Sequence, residues 1–322
     1  MNDGSIGLRL VDVPVAAGND PRARVYIVDH LSPGAVIHRR IEVSNTTATT
    51  VHVGLYAAAA AIANASFLGS AGRTPNELST WASVRPSTSD VAGGGRLTAM
   101  VTIAVPRDAS PGERYGVVWA ETRSTAARGG VVQVIRVGIR LYISVGPGGP
   151  PASNFTIEAL TAERTTDGQP MVVATVHNNG GRALDMSGSL RLSAGPAGLG
   201  AGPFPAALGV TLAIGATEPV TIALDRRLPA GPWDARMTLT SGLLERHARA
   251  TITFPDVGTA TAVKTTPSRP DWLDVAAIVL GVVILLVAGG VAIARTRRAH
   301  RQRHAPTDVR LSRWRLRWSG RR

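Results

Sequence analysis

The sequence predicts an all-β protein tied to a membrane, and three patterns carry that prediction. Short runs rich in Val, Ile, Leu and Thr recur about every ten residues. Turn formers such as Gly18-Asn19-Asp20-Pro21, Ser32-Pro33-Gly34 and Asn45-Thr46-Thr47 separate them. A Gly/Pro break, GPGGPPAS at Gly146–Ser153, divides the runs into two groups. Val275–Ala294 carries no charge and no proline, and as a helix it matches the thickness of a bilayer core.

The expected order of parts follows from these breaks. Residues 1–146 form a first β-sandwich, 147–153 a Gly/Pro linker, and 154–256 a second, smaller β-sandwich. Residues 257–274 make a Thr/Pro stalk, 275–294 a transmembrane helix, and 295–322 an Arg-rich cytoplasmic tail.

In the first group, Ser5–Leu10, Arg24–Val28, Ala35–Ser44 and Val51–Ala58 read as strands. Leu97, Ala99, Val101, Ile103 and Val105 alternate with Thr98, Met100, Thr102 and Ala104, the period of a half-buried strand, which Pro106 ends. Tyr115–Thr122 follows. Val131–Val145 reads as one long strand or two joined by a bend at Gly138. The exception is Ala59–Gly95, Ala- and Ser-rich, which reads as a long loop and a candidate binding surface. In the second group the strands are Phe155–Arg164, Pro170–His177, Ser187–Ser193, Thr217–Leu224, Ala235–Thr240 and Arg249–Phe254. Asn178-Asn179-Gly180-Gly181 carries an Asn-Gly hairpin signal, and Asp225–Asp234 reads as a tight turn. Val257–Asp271 shows no periodicity. Strands at this spacing without a helical period point to two immunoglobulin-like β-sandwich domains, followed by one transmembrane α-helix and a basic tail.

Charge supports the same division. The formal net charge is +13, and residues 295–322 hold eleven arginines against one acid, Asp308. That segment therefore supplies +10 and leaves +3 for residues 1–294, so the basicity belongs to the tail and implies no specific nucleic-acid partner for the rest. Cysteine is absent, which removes disulfides, thiolate metal sites and cysteine nucleophiles.

The flanks of the apolar run set its orientation. Trp272 precedes it at interface depth, and Arg295, Arg297 and Arg298 follow it on the side expected to be cytoplasmic. The bulk is then extracellular, although MNDGSIGLRL lacks the basic and apolar regions of a signal peptide. The expectation is a true start upstream. The alternative, a tail anchor with the bulk in the cytosol, would place eleven arginines outside. In the tail, Trp314 and Trp318 among arginines fit a segment lying on the inner leaflet, a nucleic-acid contact, or simple retention of charge.

Candidate chemistry is sparse. His30, His38, His52, His177, His247, His300 and His304 form no HExxH or H-x-H arrangement, and the chain has no G-x-S-x-G elbow. The expectation is no catalytic residue, no metal and no cofactor. Glu113, Arg114, Tyr115 and Trp119 form a polar and aromatic cluster able to stack on sugars, but Tyr115 and Trp119, four apart on a strand, share one face, and the stronger expectation is that they pack the core.

Two motifs add a family resemblance. Leu31-Ser32-Pro33-Gly34 leading into Ile41-Glu42-Val43-Ser44-Asn45, and Val105-Pro106 followed by Pro111-Gly112-Glu113-Arg114-Tyr115-Gly116-Val117-Val118-Trp119-Ala120, resemble the peptidoglycan-binding domain of the WxL-interacting proteins of Gram-positive bacteria. The resemblance covers about residues 3–145 by motif and extends along the order of parts. It departs in the absent signal peptide and in the second domain, which does not match the family's partner-binding domain. The resemblance implies a single-pass cell-surface protein that binds cell-wall glycan, docks a secreted surface protein and performs no catalysis. The alternatives are a wall-acting enzyme with scattered catalytic residues and a membrane-associated sensor.

Overall fold

The structure, a computed structural model, describes residues 5–14, 17–123 and 132–268. The first part of the chain forms strands β1 (Ile6–Leu10), β2 (Ile27–Leu31), β3 (Val36–Asn45), β4 (Val51–Ala63) and β5 (Ser66–Gly69), then a short helix α1 (Glu77–Trp81). Strands β6 (Ala82–Arg85), β7 (Thr88–Val91), β8 (Arg96–Ala104), β9 (Gly112–Arg123) and β10 (Val134–Val145) follow. One sheet has the order β1-β3-β8-β6. The other runs β2-β10-β9-β4-β5, with β7 beside β4. All these pairs are antiparallel except β2 with β10, which is parallel. Alternation drives the packing: Ile41, Val43, Val101 and Ile103 from the first sheet meet Leu55, Val118, Leu141 and Ile143 from the second in one buried core.

Two motif residues have clear physical tasks. Gly34 takes φ +83°, and its N–H donates to the carbonyls of Val105 and Pro106, turning the chain into β3. Asn45, fully buried, donates through Nδ2 to the carbonyls of Thr49, Val91 and Ala92. Its Oδ1 accepts from the Thr47 amide and hydroxyl. This one amide ties the β3–β4 and β7–β8 connections together at the end of the sandwich.

The second part contains β11 (Thr156–Arg164), β12 (Pro170–His177), β13 (Leu184–Asp185), β14 (Ser187–Ser193), β15 (Ala201–Pro205) and β16 (Thr211–Leu212). Strands β17 (Thr217–Ala223), β18 (Gly231–Ser241), β19 (Leu244–Phe254), β20 (Gly258–Thr259), β21 (Val263–Lys264) and β22 (Thr266–Pro267) complete it. One sheet runs β17-β12-β11-β20, with β21 also on β11. The facing sheet runs β15-β14-β18-β19-β22, and β13 pairs with β16. Leu160, Val172, Val176 and Ile222 pack against Leu190, Trp233, Met237 and Phe254.

Several expectations are corrected. Ala59–Gly95 is not a loop: it contains the end of β4, then β5, α1, β6 and β7. Alanines suit this strand because Ala58 packs beside Tyr56, Val117 and Trp119, where larger side chains would collide; packing overrides their low strand propensity. Asn76 caps α1 reciprocally with Ser79, and Leu78 buries the helix against the core. Arg22–Arg24 form a 3-10 turn, so the strand expected at Arg24–Val28 begins at Ile27. β10 passes through Gly138 without a bend. Gly138 lies opposite Trp119, and a Cβ there would stand 2.6 Å from the indole.

Asn178–Gly181 is not a hairpin either. β12 pairs with β11 and β17, and the chain then crosses to the other sheet. Asn178 is instead a buried tie, donating to the carbonyls of Arg182, Leu212 and Ala213 and accepting from the Gly180 amide. The expected stalk is folded as far as residue 268: β20 and β21 pair with β11, and β22 pairs with β19. Backbone pairing gives these residues their place, and it leaves no hydrophobic period to read. The rest of the stalk, the apolar run 275–294 and the tail lie outside the described residues. Among the described residues, no helix is long and apolar enough to cross a membrane.

Candidate functional site

β9 and β10 carry large side chains on both faces. Val118, Ala120, Leu141 and Ile143 face the core, while Tyr115, Trp119 and Tyr142 stand on the opposite face. Tyr115 and Trp119 therefore share a face, as their spacing requires, but it is not the core face of the sandwich. Tyr142 lies directly opposite Tyr115 with ring centroids 5.9 Å apart, and Phe67 from β5 sits 5.2 Å from Tyr142. Arg22 stacks over Tyr142 at 4.5 Å, and Arg140 over Phe67 at 4.8 Å.

The second sandwich closes onto this layer through charge. Asp185 accepts from Arg22 Nε, Arg140 Nη1 and the Tyr142 hydroxyl, each at 2.8 Å, and from the Thr211 hydroxyl at 2.9 Å. Arg22 Nη1 also donates to the Ala183 carbonyl at 2.9 Å. Glu113 accepts from the Ala183 amide at 2.6 Å and the Tyr115 hydroxyl at 2.9 Å. Burial raises the Glu113 pKa against the pull of these donors and of Arg22 and Arg182. Burial likewise raises the hydroxyls of Tyr115 and Tyr142, with Glu113 and Asp185 beside them adding to it. Burial opposes the charge on Arg22, but Asp185, Tyr142 and Glu113 outweigh it and its pKa is raised. Such a network ties the two sandwiches together, because removing Asp185 would leave the buried Arg22 guanidinium without its carboxylate.

Beside this junction is an open cleft of about 350 Å³, lined by residues of both sandwiches, among them Asp20, Val28, His30, Arg182 and Leu243. Burial lowers the Arg182 pKa against the attraction of Glu113, Asp20 and Asp29, and its Nε is buried without a partner. His30 Nδ1 contacts the Ser144 hydroxyl at 2.9 Å, and its Nε2 is also buried and unpartnered. Asp29 is engaged by Arg39 Nη2 at 2.7 and 2.9 Å. The cleft is lined by charged side chains of both signs, Asp20 and Asp29 beside Arg182, together with apolar ones such as Val28 and Leu243.

The other end of the aromatic face is closed by structure. Trp119 Nε1 donates to the Ser70 carbonyl at 2.9 Å. Glu121 accepts from the Tyr56 hydroxyl at 2.5 Å, from Arg136 at 2.5 Å and from Arg123 at 2.8 Å. Burial works against the charged carboxylate, but Tyr56, Arg136 and Arg123 hold its pKa at about 2. Arg114 faces the other way, pairing with Glu77 at 2.8 Å and stacking on Trp81 at 4.9 Å. The four residues Glu113, Arg114, Tyr115 and Trp119 thus do not converge on one surface. Trp272, Arg295, Arg297 and Arg298 lie outside the described residues.

Among the described residues, no group of three or more His, Asp or Glu side chains could hold a metal. His52 pairs with Asp90 on an exposed strand edge. A chain of contacts joins Thr238 Oγ1 to His247 Nδ1 at 3.0 Å and His247 Nε2 to Glu245 at 2.7 Å. It lies on the face of β18 and β19, whose backbones pair with each other over the length of both strands. The junction and cleft escaped sequence reading because their members, Arg22, Glu113, Arg140, Arg182 and Asp185, are scattered along the chain. The one signal was the run of bulky residues on both parities of β9 and β10.

No family model matches the sequence, and no curated protein matches it. Similar solved structures include the E. coli chaperone DraB, at 11% identity over 82% of this chain and 98% of that one, with a TM-score of 0.37. A Pseudomonas aeruginosa CupB2 chaperone aligns at 13% identity over 71% and 97%, with a TM-score of 0.35. A chain from the Salmonella enterica SafA pilin in complex with the SafB chaperone aligns at 10% over 76% and 95%, with a TM-score of 0.39. At these scores the likeness does not bear on function.

Proposed function

We propose that this chain is a membrane-anchored cell-surface binding protein that contacts cell-wall glycan and a secreted protein partner without catalysis. In this reading it resembles the WxL-interacting proteins in role, with the apolar run 275–294 as anchor and the arginines after it cytoplasmic. The observation that carries the reading is the cleft between two interlocked sandwiches. Its lining includes Arg182 and His30, whose Nε and Nε2 atoms are buried without partners, whereas the carboxylates Glu113, Glu121, Asp29 and Asp185 are all engaged in holding the fold. An open cleft at the junction of two packed sandwiches is suited to holding a ligand.

The test is protease shaving of intact cells with one tag in the sandwich region and one at the C-terminus. Loss of the first tag with survival of the second is expected; the reverse pattern would overturn the proposed topology. In parallel, the full chain in detergent should co-sediment with purified wall sacculi, and recovery in the supernatant with an intact β circular-dichroism spectrum would sink the glycan contact. A second reading, a wall-acting hydrolase, is favoured by the Thr238–His247–Glu245 chain alone. Clearing of a sacculus suspension by the wild-type chain but not by Thr238→Val would establish it.

A further inference from the structure

Two opposite charges line the cleft between the sandwiches without meeting. Arg182 lies where the chain crosses from β12 to β13, and its carbonyl is held by Asn178 Nδ2 at 2.9 Å. Among the described residues its guanidinium makes no hydrogen bond and no ion pair; Nε is buried, and the two Nη groups are not. Its neighbours are engaged, Arg22 and Arg140 by Asp185, and Arg39 by Asp29.

Asp20 belongs to the connection between β1 and β2. Its Oδ1 accepts from the Arg22 amide at 2.9 Å, and among the described residues its Oδ2 takes no hydrogen bond. The β18–β19 turn packs on it so closely that a Cβ on Gly242 would stand 2.8 Å from Oδ1. Asp20 attracts Arg182, yet the two stay beyond ion-pair distance. Backbone contacts pin each of them, so their separation belongs to the fold.

A ligand entering between them needs a donor for Asp20 and an acceptor for Arg182. A carboxylate ligand would meet Asp20 and Asp29 beside its cation, and an amine would meet Arg182, so a neutral group suits the cleft better. Val28 and Leu243 add apolar surface to the same lining, and Leu243 is 71% exposed. An N-methylated or acetylated amide meets all three demands, because its N–H and C=O point opposite ways and its methyl lies to one side. The volume, about 350 Å³, falls in the range of small-ligand sites.

We propose that Asp20 and Arg182 bind the acetamido group of an N-acetylated amino sugar. Asp20 Oδ2 accepts from the amide N–H, Arg182 donates through Nη to the carbonyl oxygen, and the methyl rests against Val28 and Leu243. Both hydrogen bonds have one charged partner, which makes them the strong kind. The inference rests on the wall-glycan reading for the source of the sugar.

The test uses the full chain in detergent and the β-1,4-linked tetrasaccharide of N-acetylglucosamine. Calorimetry reads affinity, and saturation-transfer NMR reads which protons touch the protein. Wild type should bind, with the acetamido methyl most strongly saturated. Arg182→Gln and Asp20→Asn should each weaken binding about 10- to 100-fold, the worth of a hydrogen bond to a charged group. Arg182→Gln should melt no lower than wild type, since no hydrogen bond of the fold is lost. Should it melt lower, Asp20→Asn still reads the site, because it keeps an oxygen for the Arg22 amide. Leu243→Ser should reduce saturation of the methyl. Cellotetraose, with hydroxyls in place of acetamido groups, should bind about tenfold more weakly or worse. Equal binding of cellotetraose, or full affinity in both variants, would overturn the site. Tighter binding of tetraalanine than of the tetrasaccharide would overturn the ligand class in favour of a peptide amide. Wild type that sediments with sacculi but ignores the tetrasaccharide would overturn the acetamido site and leave the wall contact standing. Binding of the tetrasaccharide without sacculus binding would support the site and remove the wall reading.

Discussion

The two sandwiches treat their wide sheets in opposite ways. In the first, β9 and β10 are covered on both faces, by the core on one side and by the aromatic layer and the second sandwich on the other. In the second, β18 buries Trp233, Ala235, Met237 and Leu239 and leaves Asp234, Arg236, Thr238 and Thr240 outward. The primary structure records the difference: YGVVWA and LYISV are bulky at both parities, whereas WDARMTLT alternates strictly. Each sandwich nevertheless uses the same tie, a buried asparagine at the exit of a central strand that donates to three loop carbonyls. What differs between them is therefore less the interior than what each leaves for another surface.

The largest effect expected from breaking this contrast is at the junction. Asp185→Ala should cost about 3–5 kcal/mol, because Arg22 and Arg140 lose their shared carboxylate while Arg22 stays buried. Denaturant titration checks this, and Arg22→Ala combined with Asp185→Ala should cost clearly less than the sum of the two. Next come the ties. Asn45→Asp and Asn178→Asp should each cost about 2–4 kcal/mol, since three buried carbonyls lose their donor and face a carboxylate. Similar losses in both would support equivalent roles, and a loss confined to one would break the parallel.

A smaller cost, about 1–3 kcal/mol, is expected where a glycine makes room for an indole. Gly138→Ala would set a Cβ 2.6 Å from Trp119, and Gly195→Ala one 2.3 Å from Trp233. Thermal melts of both variants, and of Gly138→Ala with Trp119→Leu, would show whether the clash is with the ring.

The smallest effect concerns pH at the two ends of one face. Glu121 has its pKa held at about 2, below its ordinary 4.5, so its stabilising share is complete above 4.5 and fades as the pH falls toward 2. Glu113 is shifted the other way by burial, so the folded state favours its protonated form and gains from it as the pH falls. Acid titrations of Glu121→Gln and Glu113→Gln should therefore alter the acid limb in opposite senses. Changes of the same sign would contradict the assignment.

Much of the sheet framework was legible in the chain. Val36–Asn45, Arg96–Ala104, Thr156–Arg164 and Pro170–His177 lie where alternation and turn residues predict them. Three features were not, for distinct reasons. Ala59–Gly95 looked structureless because alanine signals little about strands, yet a crowded aromatic face selects for it. Asn-Gly at 179–180 looked like a hairpin because spelling cannot distinguish a turn within one sheet from a crossing to another. Residues 258–267 looked like a tether because their order comes from backbone pairing with β11 and β19. The cleft was invisible for a further reason: Asp20, His30, Arg182 and Leu243 meet only once the two sandwiches interlock.

The short pairs β20, β21 and β22 have a mechanical consequence. They stitch the chain leaving the second sandwich first to β11 of one sheet and then to β19 of the other, each over two residues. Tension applied at residue 268 would meet the β22 pair first, then β21, then β20, before any load reached the Phe254 end of β19. The segment would pay out length in small steps under pull and re-zip when released, a fuse in series with a stiff body.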